Sequence, residues 1–170
     1  MHDEAPHASS EDQMKQYPKS ILYRHRKENL KKCSLRGLEE RSDLLFITYP
    51  IDPIPPLTSA ILLSFEGPLL TPQDRFPLFL IDGTWKNARV MEKQLPPQIN
   101  WVKRSLPTSC RTAYPRKQTE CPFPVEGLAT VEALYIAHSI LGYEREGLLD
   151  HYYWKEPFLS LNQDLIKQYE

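Results

Sequence analysis

A carboxylate, a glycine, a hydroxyl and an indole stand side by side at Asp82-Gly83-Thr84-Trp85. The carboxylate can take a proton or anchor an amino group. Glycine lets the backbone turn sharply or approach a ligand, and threonine can cap a following helix. The indole offers a face on which a flat ring such as adenine or uracil can stack. An ordinary strand-to-helix turn with a core tryptophan uses the same residue types, so the four residues alone leave both readings open. The chain has no Gly-x-Gly-x-x-Gly, no Walker loop and no His-Glu-x-x-His. Cys110 and Cys121 have no base beside them in the sequence, which argues against a cysteine nucleophile. What remains suggests positioning more than covalent catalysis.

The elements around this stretch place it. The apolar run Leu78 to Ile81 stops at Asp82-Gly83, and a helix-compatible segment follows from Thr84 to about Gln94, where Pro96-Pro97 forces a stop. Asp82 is therefore expected at the carboxyl end of a buried strand, the side on which open α/β sheets bind ligands. Further strands are expected at Ser20–Arg24, Asp43–Tyr49, Ala60–Phe65 and Ile99–Leu106. Their largely continuous apolar character predicts a mostly parallel sheet covered by helices on both faces. Leu30, Leu35 and Leu38 give a loosely helical pattern interrupted by Gly37. The clearest helix runs from Gly127 to Gly142, and its start at Gly127 or Thr130 offers free N–H groups to an anion. Glu132 there suits the helix dipole, and His138 reads as a packed or surface histidine. Two acidic amphipathic helices are expected at Arg145–Tyr153 and Phe158–Tyr169.

With 170 residues, 41% of them apolar and 25% charged, the chain fits one globular domain over 19–170 behind a polar, disordered tail at 1–18. No apolar run is long enough for a membrane helix, and the amino terminus is not a signal peptide. Three widely spaced cysteines make neither a disulfide framework nor a zinc site and suit a reducing cytoplasm. Sixteen prolines against six glycines mark stiff connections. Net charge is only −1, yet Lys86 to Lys117 holds eight Lys or Arg and one acid. A solvated face would account for that, while Arg104, Arg111, Arg116 and Lys117, with Tyr114 among them, suit a nucleic-acid backbone.

Ile81-Asp82-Gly83-Thr84-Trp85-Lys86-Asn87-Ala88 resembles the signature of the DTW-domain family, which moves a 3-amino-3-carboxypropyl group from S-adenosylmethionine onto uridine in tRNA. Tyr114-Pro115-Arg116-Lys117 and Gly127-Leu128-Ala129-Thr130-Val131-Glu132-Ala133 are similar to two further blocks of that family, in the same order. Lys31-Lys32-Cys33-Ser34, Leu70-Thr71-Pro72-Gln73-Asp74, Arg104-Ser105-Leu106-Pro107 and the ending Tyr153 to Asn162 resemble the sister family that modifies ribosomal RNA.

The resemblance implies a SPOUT-like fold with a C-terminal knot and S-adenosylmethionine held by loops. It places cofactor contacts at Ser34, Asp82, Gly83, Thr84, Trp85, Leu106 and Thr130. Asp82, as general base or amino-group anchor, and Trp85 are the expected catalytic residues, and Asp82→Ala is expected to abolish transfer with folding largely intact. Arg104, Arg111, Tyr114, Arg116 and Lys117 are expected on RNA, with tRNA as substrate and ribosomal RNA as the alternative. Only Cys33 lies in the half where such proteins often carry metal-spaced cysteines, so no zinc is expected. An RNA methyltransferase of the same superfamily and a non-catalytic RNA-binding module are the rival readings.

Overall fold

The computed structural model describes residues 20–115 and 127–170, so the expected tail and Arg116, Lys117 and Cys121 lie outside the described residues. Five strands, β1 (Ser20–His25), β2 (Leu44–Tyr49), β3 (Ser59–Leu63), β4 (Leu78–Asp82) and β5 (Asn100–Arg104), form one sheet. Their order is β2-β1-β4-β3-β5, and every pairing is parallel. The helices are α1 (Trp85–Lys93), α2 (Thr130–Leu141), α3 (Lys155–Leu161) and α4 (Gln163–Lys167).

Alternate strand residues feed two separate cores, as the period of a strand requires. Leu22, Leu78 and Leu80 pack with Leu134 of α2, Phe158 of α3 and Leu165 of α4. Ile21, Tyr23 and Phe79 face the other way, onto Met91 of α1 and Leu57 of the proline-rich connection. Both faces are thus covered, which is why the strands are apolar without alternation.

Local chemistry sets the ends of the two helices nearest the site. The Thr84 hydroxyl accepts the Asn87 N–H at 3.3 Å and caps α1. Gly142, at φ 73°, closes α2 in the left-handed conformation that glycine adopts without steric cost.

Turns replace one expected helix and one loosely helical pattern. Residues 30–38 form successive turns that bury Leu35 and Leu38, with Gly37 at φ 88°. Turns bring leucines three apart onto one face as a helix would. The segment 145–153 is also built of turns, and α3 starts only at Lys155. Pro157 lies inside its first turn, where a missing N–H costs nothing.

Beyond β1 the chain enters the turns that bury Leu35 and Leu38 in the first core, whereas beyond β4 it enters α1 on the second. Neighbouring strands that leave toward opposite faces open a crevice at their carboxyl ends. Arg24 and Asp82, register partners in the β1–β4 pair, stand at that crevice.

Candidate active site

A cleft of about 860 Å³ opens at the carboxyl ends of β3, β4 and β5, within the size range of small-molecule sites. Its wall is made by Leu63–Glu66 after β3, Gly83 and Trp85 after β4, Ser105–Thr108 after β5, and Gly127, Leu128 and Thr130 entering α2. Of the expected cofactor residues, Gly83, Trp85, Leu106 and Thr130 line it. The Trp85 ring stands 6.0 Å from that of Phe65, inclined at 56°, and the Arg89 guanidinium lies 5.8 Å above the indole.

Asp82 and Ser34 are bonded behind this wall, while Thr84, exposed, caps α1. Asp82 is only 5% exposed. Its Oδ1 accepts from the Thr130 hydroxyl at 2.7 Å. Its Oδ2 accepts from Arg24 Nε and from the Cys33 thiol, both at 3.4 Å. The Arg24 guanidinium also lies 3.5 Å from a Glu39 oxygen and 4.8 Å from the centre of the Phe46 ring. A buried carboxylate needs such partners, because unpaired burial of a charge is prohibitive. The Ser34 hydroxyl accepts the Val131 N–H at 3.2 Å, so the first turn of α2 is tied both to the end of β4 and to the turns that follow β1. Asp82 thereby reaches the cleft through Thr130, which it holds at the wall.

No protein-family profile matches the sequence, and no curated protein matches it. Among solved structures the chain is similar to Tsr3 from Vulcanisaeta distributa, described as a SAM-dependent rRNA:acp-transferase. The two share 26% identity and superpose with a TM-score of 0.68, over 89% of this chain and 82% of Tsr3. The α/β architecture, a five-stranded parallel sheet flanked by helices, is therefore one that this chain shares with Tsr3.

Three of the residues expected on RNA, Arg104, Arg111 and Tyr114, lie within the described residues. Arg104 pairs with Asp74 at 3.3 Å and donates to the Lys103 carbonyl at 2.9 Å. The Arg111 guanidinium donates to the carbonyls of Thr108 and Cys110, at 2.7 and 2.9 Å, and its backbone N–H and C=O both bond the Asn162 side chain at 2.8 Å. Tyr114 packs against the first core. These residues shape the loop after β5, because a proline-broken segment must satisfy its backbone carbonyls with side chains.

Glu132 is more than a helix-dipole residue. Fully buried, it accepts from the N–H groups of Ala129 and Ala113 at 2.8 Å and from the Thr112 hydroxyl at 2.7 Å. Arg24 is a further site residue: an arginine next to last in an apolar strand signals a buried anion nearby without saying which one. His138 is packed, as expected, with Ser20 Oγ 2.6 Å from Nε2 and the Glu144 carbonyl 2.7 Å from Nδ1. Among the described residues, no cluster of three or more His, Cys, Asp and Glu could hold a metal ion, and no helix is long and apolar enough to cross a membrane.

Burial, and then the charge of Asp82, push the Cys33 thiol up to about 12. Only about one molecule in ten thousand then carries the thiolate at pH 8. Cys33 is accordingly expected to resist iodoacetamide at pH 8 in the folded protein and to react fully in guanidinium. Peptide mass spectrometry checks this, and rapid native labelling of Cys33 would contradict the buried network.

Proposed function

We propose that this chain transfers a 3-amino-3-carboxypropyl group from S-adenosylmethionine to a uridine or pseudouridine of ribosomal RNA. The observation that carries the reading is the cleft: four residues assigned to the cofactor from sequence resemblance, Gly83, Trp85, Leu106 and Thr130, meet on the wall of a single cofactor-sized cavity. The fold it shares with Tsr3, described as acting on rRNA, favours the ribosomal substrate over the tRNA implied by the Asp82–Trp85 signature. We read the fold further as SPOUT-type with a C-terminal knot, and residues 19–170 as one cytoplasmic domain. The knotted reading rests on the resemblance of the Asp82–Trp85 signature and the blocks that accompany it.

The reaction is a displacement at a carbon next to a sulfonium. A bond forms from the base nitrogen to that carbon, the carbon–sulfur pair returns to sulfur, and methylthioadenosine leaves uncharged. The base proton is lost to water or to a side chain, and no acid is needed to expel the leaving group. The protein's contribution is alignment, which can supply a large part of the rate. Trp85 holds a ring in line, and Asp82 fixes Thr130, an anchor role that its burial favours over that of general base.

The test is incubation of the protein with S-adenosylmethionine and either ribosomal RNA or tRNA, followed by analysis of by-products and nucleosides. Methylthioadenosine with modified rRNA is the expected result. Modified tRNA alone would move the substrate back to the signature's implication. S-adenosylhomocysteine would make the protein a methyltransferase, and no product despite cofactor binding would leave a binding module.

A further inference from the structure

The exposed face of α1 carries Lys86, Arg89 and Lys93 at i, i+3 and i+7. At 3.6 residues per turn they fall within an arc of about 60° and along about 10 Å of axis. None of the three has a carboxylate within ion-pair distance among the described residues. Glu92, the only acid of this helix, is paired instead with Lys103 of β5 at 3.5 Å. Arg89 and Lys93 also line the cleft. The contrast with Arg104 and Arg111, whose guanidinium groups are engaged in the protein's own carboxylate and carbonyls, is direct.

We infer that this face of α1 is the track for the backbone of a single-stranded stretch of substrate RNA, leading its target base into the cleft. The inference rests on the RNA reading proposed above. Like charges spaced three and four apart on a helix repel one another, and with the neighbouring Glu92 drawn to Lys103 the stripe favours a polyanion from outside. Phosphates along a basic groove beside aromatic faces are how proteins hold single strands. Phe65, 52% exposed at the cleft, and Trp85 supply those faces. A paired base would first have to leave its stack to reach the same cavity, which favours an unpaired segment.

The experiment compares the full chain with its Lys86→Gln/Arg89→Gln/Lys93→Gln variant, using a short uridine-rich RNA strand and fluorescence anisotropy at several salt concentrations. Each phosphate neutralised on a single strand contributes about 0.7 to the slope of log affinity against log salt. The variant is expected to bind more weakly with a slope about 2 shallower, and to melt at the same temperature because all three residues are exposed. Equal affinity and equal slope in the two proteins would overturn the inference. A wild-type protein that binds S-adenosylmethionine but not the strand would overturn it while leaving the cofactor reading in place. One that binds neither would remove both.

Discussion

Asparagine in place of Asp82 is expected to lower transfer by about 10²-fold and to destabilise the fold at the same time. The change keeps an oxygen that can accept from Thr130 but deletes the charge facing Arg24, whose side chain is 10% exposed. Removing one partner of a buried pair costs about 3–5 kcal/mol, since the other charge is left uncompensated. Glu39, 3.5 Å from Arg24 and 40% exposed, still supplies part of the counter-charge, so the lower end of that range is expected. The denaturation midpoint should therefore fall with no change in the denaturant slope. Expecting Asp82→Ala to leave folding largely intact is incompatible with this burial.

Arg24→Gln combined with Asp82→Asn should cost less than the two single changes added together, because the double variant strands no charge. The same variants separate the two roles open to the carboxylate. Loss of a general base would lower activity equally with or without the Arg24 change, whereas loss of an anchor held by Arg24 would be partly relieved in the double variant. Full stability and full activity in Asp82→Asn would dismantle the network as described.

Why Asp82 was legible in the sequence and Arg24 was not follows from the range of the interactions involved. Strand, turn and cap at 78–94 are decided within a few residues, by an apolar run, a glycine and a threonine. The adjacency of β1 and β4 is set by pairings between segments some fifty residues apart, which no local pattern records. The pairing of charges within the basic run is set over the same long range. Counting charges along the chain cannot show that Arg104 finds Asp74 thirty residues away, whereas Lys86, Arg89 and Lys93 find no carboxylate among the described residues. Leucines at 35 and 38 fit a helix and a pair of turns equally well, and Gly37 at φ 88° decides for turns. The cleft itself is assembled from four separate segments, so only the resemblance to a known family could have grouped Trp85, Leu106 and Thr130 in advance.

Glu132→Ala carries the second large effect, expected at about 3 kcal/mol or more. The substitution removes the acceptor for two backbone N–H groups and a hydroxyl, and each unsatisfied buried group costs about 1–3 kcal/mol. It also leaves a void under a side chain with no solvent exposure, which adds a cavity cost. Glu132→Gln keeps the volume but turns an N–H₂ toward a donor, so it should fall between wild type and alanine. The consequence reaches the cofactor, because the carboxylate ties the 112–113 loop to Ala129, next to the Leu128 and Thr130 wall. Loosening that tie costs ordering entropy on binding, so S-adenosylmethionine affinity is expected to drop in both variants, even at temperatures where they remain folded. Calorimetry of cofactor binding alongside thermal melting reads the two effects separately. A melting point shared by all three proteins would mean that the triple acceptor role of Glu132 does not hold the loop. Weaker binding in Glu132→Gln with little loss of stability would show that the wall of the cleft depends on this carboxylate more than the core does.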